Sequence, residues 1–171
     1  AQKFGSLGVD IFFVLSGVVM ALVADKYVKS GMVFGINRAF RVIPVYWFYT
    51  LLLVISILIF PSGTYLTWWE GDSLLKSILF VPNINPNGYG YYPTLYVGWT
   101  LIYEMFYYFL FTLILTFRIP QPIIFCAFAL ALIAVLTRNI NFLGHSSWLL
   151  LEFSIGMIIS LILKAGTFKQ N

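Results

Sequence analysis

Long apolar runs separated by short polar segments dominate this chain. Five of them approach the length of about 20 apolar residues that a helix needs to cross a bilayer. Apolar residues lie on every side of these runs, whereas the strands of a membrane barrel alternate apolar and polar positions. The pattern therefore predicts an all-α, polytopic integral membrane helical bundle that forms one partial domain over residues 1–171. Its expected membrane helices, about five, are 8–24, 43–60, 98–117, 120–136 and 147–163.

Two connecting features depart from this pattern. Residues 73–82 (SLLKSILFVP) are too few to span a bilayer, and we expect them to lie at the membrane interface or to re-enter it. The whole connection 61–97 is rich in tryptophan and tyrosine, which is typical of the headgroup level. A connection of this length often carries function, and a passive interfacial connector is the alternative.

Composition agrees with a membrane protein. Hydrophobic residues make up 61% of the chain and charged residues 9%, whereas soluble domains are near half apolar and a quarter charged. The net charge of +4 comes from basic residues scattered between the runs, so it gives no indication of nucleic-acid binding. With the first run pointing inward, seven basic residues are cytoplasmic and three are not, and the positive-inside rule then places 25–42 inside and 61–97 outside.

The ends of the chain and its cysteine add two expectations. Cys126 is the single cysteine and lies in an apolar run, so we expect it to pack as a small apolar side chain. The chain begins at Ala1 without the charged and apolar regions of a signal peptide. We therefore expect it to be a piece of a longer protein.

Asp10 interrupts the first apolar run, in GVDIFFVLSG. A charge inside a membrane helix costs about 2.5–3.5 kcal/mol on insertion scales and usually faces a bundle interior or a water-filled cavity. The alternative is an acid at the interface that helps to start the helix. Gly17 follows on nearly the same face and would permit close approach of another helix.

Glu104 lies deeper in its run than Asp10 does. Thr100, Tyr107 and Tyr108 are three or four residues away, so their hydroxyls share a helix face with the carboxylate. Such a face could line a polar groove or serve only to join two helices through a hydrogen bond or ion pair.

Arg38 and Arg41 in NRAFRVIP project from one side of a helix because they are three residues apart. Paired guanidinium groups can bind phosphate or carboxylate bidentately. Contact with anionic lipid at the inner mouth of the second run is the alternative. His145, the single histidine, is expected to be solvated in a short outward loop, and no metal site is predicted because no partner lies at ligand spacing.

Three motifs in order, GVDIFFVLSG, RAFRVIP and GWTLIYEMFYYF, resemble those of the bacterial acyltransferase-3 family over about residues 5–163. The resemblance implies an integral-membrane acyltransferase that moves an acyl group, acetyl above all, from acyl-CoA to a hydroxyl of a carbohydrate. It implies the bacterial inner membrane as the location, with no bound cofactor. By residue, it implies that Arg38 and Arg41 bind the donor phosphates, that Asp10 and Glu104 belong to the catalytic region, and that Trp99 and Ser16 complete the motifs.

Two further consequences concern activity. Members of the family carry their catalytic histidine on a helix that would precede Ala1, so we expect this piece to be inactive by itself. The alternative function is a non-enzymatic transport or export module for glycan or lipid, in which Asp10 and Glu104 would be charges along the pathway.

Overall fold

The computed structural model describes residues 2–27, 30–60, 71–85, 90–140 and 143–167. Within these ranges the regular structure is helical, which confirms the all-α prediction. The α-helices are α1 (Gln2–Val23), α2 (Gly31–Ile59), α3 (Gly71–Ile78), α4 (Trp99–Thr116), α5 (Pro122–Leu136) and α6 (Leu149–Thr167). Short 3-10 turns at Ala24–Tyr27 and Tyr96–Gly98 follow α1 and precede α4.

Each of the five predicted runs is helical, but they differ in length. Three helical stretches in the described part of the chain are long and apolar enough to cross a membrane, namely Leu7–Tyr27, Gly31–Ile59 and Tyr96–Thr116. Helix α5 is apolar and has 15 residues, fewer than the roughly 17 that the shortest spans need. It begins at Pro122, as the IPQP entry indicates, because proline needs no hydrogen-bond partner in a first turn.

Helix α2 begins well before its predicted start at residue 43. It runs unbroken from Gly31, so RAFR belongs to the same helix as the apolar run. Pro44 therefore lies inside the helix and not in its first turns, where we had expected its missing N–H to cost little. At this position the carbonyl of Phe40 loses its helical hydrogen-bond donor.

The exposed surface of α2 is apolar. Side chains that lie largely outside the core include Trp47, Phe48, Leu51 and Leu58, each about half exposed or more. Contiguous apolar surface of this extent is unusual on a soluble monomer. It fits an integral membrane protein whose helix faces lipid.

The chain forms two compact units. The first comprises the described parts of 1–35, 107–142 and 146–171, and the second those of 36–106 and 143–145. The first unit thus contains α1, α5, α6 and the second half of α4. The second contains most of α2, α3 and the first half of α4.

Within the first unit, α1 crosses α6 at a pair of glycines. A Cβ atom on Gly17 would overlap the carbonyl oxygen of Phe153, and one on Gly156 would overlap that of Val14. The backbones therefore touch, which confirms that Gly17 permits close helix approach. The rings of Phe13 and Phe153 pack beside the crossing, with centroids 4.9 Å apart.

Within the second unit, α3 buries its two serines and exposes Leu75. Ser73 and Ser77 are buried, whereas Leu75 is 56% exposed. The buried side chain of Asn83 donates from Nδ2 to Ser73 Oγ at 2.7 Å, and Ser77 Oγ accepts a hydrogen bond from the backbone N–H of Thr94 at 2.8 Å. This short helix is thus tied by polar contacts to the connection that leads into α4.

Candidate functional site

His145 is positioned by a loop that packs into the second unit. Leu143 and Gly144 are buried, and Gly144 has a φ of 91°, which glycine adopts without strain. A Cβ atom on Gly144 would lie 2.6 Å from Cβ of Tyr91, so the loop can pass this close only because the residue is glycine. The loop therefore holds the histidine against the entry to α4.

The imidazole of His145 lies among aromatic rings. It stacks on the indole of Trp99 with centroids 4.6 Å apart and planes 25° apart. Tyr92 meets it edge-on at 4.7 Å, and Tyr92 in turn stacks on Tyr96 at 4.2 Å and 20°. We call these four residues, Tyr92, Tyr96, Trp99 and His145, the aromatic array.

A hydrogen bond and a second ring contact fix the inner side of the array. The hydroxyl of Tyr103, a fully buried residue, hydrogen-bonds to the backbone of His145. The ring of Tyr103 also meets Trp99 edge-on, with centroids 6.3 Å apart. Trp99 is the first residue of α4, so the start of this helix and the histidine loop are held together.

The expectation of a solvated His145 is therefore wrong. The side chain is half-buried, and its Nδ1 atom is buried with no hydrogen-bond partner among the described residues. Burial lowers the pKa of His145 below its ordinary value. No local sequence pattern marked this position, because only the fold brings His145 to Trp99.

Tyr92 differs from an ordinary surface tyrosine in its ionisation. Its hydroxyl hydrogen-bonds to that of Tyr96, and this contact, together with partial burial, raises the pKa of Tyr92 to about 12. The hydroxyl of Tyr92 thus remains neutral at physiological pH. The array presents ring faces and hydroxyl groups.

Arg38 and Arg41 both lie on α2, one turn apart, as their spacing predicts. Arg38 is half-buried and Arg41 is exposed. An exposed guanidinium keeps its five donors available for a planar oxyanion. Arg41 can therefore present its guanidinium group from this side of the helix, one turn from Arg38.

Glu104 is buried inside α4, with 7% of its surface exposed. Of the hydroxyls predicted to share its face, that of Thr100 donates to the backbone oxygen of Val97 at 3.2 Å, and Tyr107 and Tyr108 are buried. A buried carboxylate at this depth is costly unless polar groups surround it. Its burial agrees with the prediction that it faces a protein interior.

Asp10 lies within α1 rather than at its start, because the helix already begins at Gln2. The alternative that Asp10 helps to start the helix is therefore wrong. The Asp10 carboxyl lies close enough to that of Glu152, in the first turn of α6, to share a hydrogen bond. Oε2 of Glu152 is buried with no hydrogen-bond partner among the described residues.

Glu152 is a residue that sequence reasoning missed. The signal was the same as for Asp10, an acid alone in an apolar run, but no motif drew attention to it.

The structure also places the remaining motif residue, since Ser16 lies half-buried on α1. In the part of the chain that the structure describes, no group of three or more histidine, cysteine or acidic side chains could hold a metal ion.

Comparison with known proteins identifies the family. The profile of the acyltransferase domain of the acyltransferase-3 family matches residues 2–171. The chain belongs to the acyltransferase-3 family. It is also 35% identical over 162 residues to the exopolysaccharide production protein ExoZ of Rhizobium meliloti (strain 1021). No solved structure matches the chain.

The alignment with ExoZ covers 91% of this chain and 50% of the relative. The chain thus spans about half the length of the curated relative that it matches. The family match confirms the resemblance carried by the three motifs and includes every residue of the aromatic array, the arginine pair and the acids.

Proposed function

We propose that this chain is part of an integral-membrane O-acyltransferase that transfers an acyl group, acetyl in the first place, from acyl-CoA to a hydroxyl of a carbohydrate. Membership of the acyltransferase-3 family supports the reaction class. The relative ExoZ is named an exopolysaccharide production protein, which supports a cell-surface polysaccharide as the acceptor. The bacterial inner membrane is the corresponding location.

The single structural observation that carries the donor assignment is the arginine pair. Arg38 and Arg41 lie one turn apart on an unbroken helix, and Arg41 is exposed. A guanidinium group fits a phosphate better than an ammonium group does, because it offers a planar fork of donors. Two arginines at this spacing suit two adjacent phosphates. The phosphates of CoA are the ligand that we assign to them.

The transfer itself needs a base at the acceptor. The acceptor hydroxyl gives its proton to that base, its oxygen attacks the thioester carbonyl, and the carbon–sulfur bond breaks to release CoA as the thiol once it takes up a proton. The family resemblance assigns this base to a histidine. The buried carboxyl of Glu104 and the carboxyl of Asp10 are assigned to shaping the site.

Arg41→Ala in the longer protein that contains this chain tests the proposal. A hydrogen bond to a charged group is worth about 1.5–3 kcal/mol, so loss of the guanidinium should raise KM for acetyl-CoA by roughly ten- to a hundredfold. The measurement is acetyl transfer to deacylated polysaccharide by the protein in nanodiscs, over a range of acetyl-CoA concentrations.

Arg138→Ala is the matched control, because Arg138 is also exposed and follows α5. It should leave KM for acetyl-CoA within twofold of the wild-type value. If Arg41→Ala leaves KM unchanged but alters insertion or membrane orientation, Arg41 contacts lipid and the donor assignment is wrong. If the wild-type protein transfers no acyl group from any acyl-CoA, the enzymatic function itself is refuted.

A further inference from the structure

We propose that the aromatic array, Tyr92, Tyr96, Trp99 and His145, is the platform on which a sugar ring of the carbohydrate acceptor stacks. This inference rests on the proposed function and adds to it the place at which the acceptor binds. It also assigns a role to Tyr92, Tyr96 and His145, none of which belongs to the three motifs.

The geometry of the array supports a binding platform. Tyr92 and Tyr96 are nearly parallel, and so are His145 and Trp99, while Tyr92 joins the two pairs edge-on. The four rings therefore form one contiguous cluster. Tyr96 lies at its open end with 48% of its surface exposed, and Tyr92, Trp99 and His145 are each half-buried.

The chemistry of the array suits a neutral sugar. The carbon–hydrogen face of a sugar ring is apolar and can cover an aromatic ring, while its hydroxyls project from the edge and need hydrogen-bond partners. The exposed ring of Tyr96 can contact the apolar face of the sugar. The hydroxyls of Tyr92 and Tyr96 can form hydrogen bonds with the sugar hydroxyls. His145 is the single ionisable group in the array that titrates near neutral pH, and burial favours its uncharged form.

A belt of membrane-interface aromatics is the competing explanation. Belt residues anchor individually, with the polar tip of each ring at the headgroups. Here the rings stack on one another and enclose a histidine whose Nδ1 is buried without a hydrogen-bond partner among the described residues. Rings that pack on one another in this way form one built cluster, and Tyr96 is its exposed end.

The position of the array along the chain agrees with this role. Tyr92 and Tyr96 close the connection 61–97, which the positive-inside rule predicts to face outward. A cell-surface polysaccharide, the acceptor in the proposed function, would lie on that side. The array is also rigidly attached to α4, since Trp99 begins the helix and Tyr103 binds the histidine loop.

Tyr96→Ala tests the inference in the longer protein reconstituted in nanodiscs. The probe is polysaccharide from the cells that make the protein, with its ester groups removed by mild alkali. We expect KM for this acceptor to rise about five- to tenfold, the scale of a lost aromatic contact, with kcat and the Kd for CoA within twofold of wild type. Tyr96→Leu, which keeps an apolar side chain but not a flat ring, should give a similar rise.

Tyr49→Ala is the matched control, because Tyr49 is an exposed tyrosine on α2 outside the array, with 56% of its surface exposed. It should not change KM for the acceptor. If both Tyr96 variants keep the wild-type acceptor KM while the wild-type enzyme is active, the platform is refuted and the proposed function stands. If they lower thermal stability or membrane retention instead, Tyr96 is an interfacial anchor and the platform is equally refuted.

Failure of the proposed function has a different signature. In that case the wild-type protein would transfer no acyl group, and the Tyr96 variants would have no activity to lose. The two ideas are therefore tested by separate measurements on the same preparation.

Discussion

Gly156→Ala is the most direct test of how the first unit is packed. Gly156 on α6 meets α1 so closely that an added Cβ atom would overlap the carbonyl oxygen of Val14. The same atom would lie 3.0 Å from the carbonyl carbon of Val14 and from the amide nitrogen of Val18. All three are backbone atoms of a helix, so they cannot move aside as a side chain would, and the two helices must separate to admit the methyl group.

Two effects of opposite sign decide the result. Replacing glycine by alanine inside a helix stabilises the helix by about 0.5–1 kcal/mol. Overpacking a close contact typically costs about 1–3 kcal/mol, and a backbone contact leaves little room for relaxation. The clash should therefore win by roughly 1–2 kcal/mol, which for a chain of this size corresponds to a fall in Tm of about 2–8 °C.

A thiol-reactive dye provides the assay, because Cys126 is the single cysteine and is fully buried until the protein unfolds. The matched control is Gly8→Ala on α1, where a Cβ atom would meet nothing within 4 Å among the described residues. That variant should have an unchanged or slightly raised Tm in detergent. A Gly156→Ala protein as stable as the wild type, or a Gly8→Ala protein that loses as much stability, would show that the two helices do not touch at this glycine.

Two further predictions concern the second unit. Burial lowers the pKa of His145 in the folded protein below its ordinary value. The unfolded chain therefore binds more protons than the folded protein near pH 6. The stabilisation from the neutral imidazole is complete above about pH 6.5, and it is lost as the pH falls through the pKa of the folded protein. Wild-type Tm should accordingly fall more between pH 8 and pH 5 than that of His145→Gln, and equal slopes would refute the burial of the ring. Glu104→Gln keeps the shape of a buried side chain but replaces its carboxyl group by an amide. We expect at least about a tenfold loss of acyl transfer by the longer protein, equivalent to roughly 1.4 kcal/mol of transition-state stabilisation. Activity and Tm that both match the wild type would show that the carboxyl group of Glu104 has no role.

The sequence predicts the helices better than their ends. Apolar runs locate the helices because lipid requires apolar side chains on every exposed face. The hydropathy pattern did not predict the part of α2 that precedes residue 43, however. A helix can continue into a more polar segment, and the apolar run then marks only part of its length. Pro44 reinforced the wrong boundary, although a single missing hydrogen bond is tolerated inside a long helix that neighbouring elements support.

The candidate site was predictable only where a motif marks it. Arg38, Arg41, Trp99 and Glu104 stand in motifs whose spacing gives a helix face directly. His145 and Tyr92 lie far apart in the chain and meet through the loop at Gly144, whose fit against Tyr91 depends on tertiary packing. No local pattern encodes such a meeting.

Asp10 illustrates the same limit and has a physical resolution. In the sequence, Asp10 is an acid in an apolar run, where a charge is costly. Glu152 is a second acid, in an apolar run far from the first along the chain. The crossing of α1 and α6 at Gly17 and Gly156 brings the two carboxyl groups within reach of a shared hydrogen bond. The two polar side chains are thus placed together at the helix crossing instead of at separate places in the apolar region. The close glycine contact and the two acids therefore depend on each other, and a change that separates the helices should also leave each acid to bear its own cost of burial.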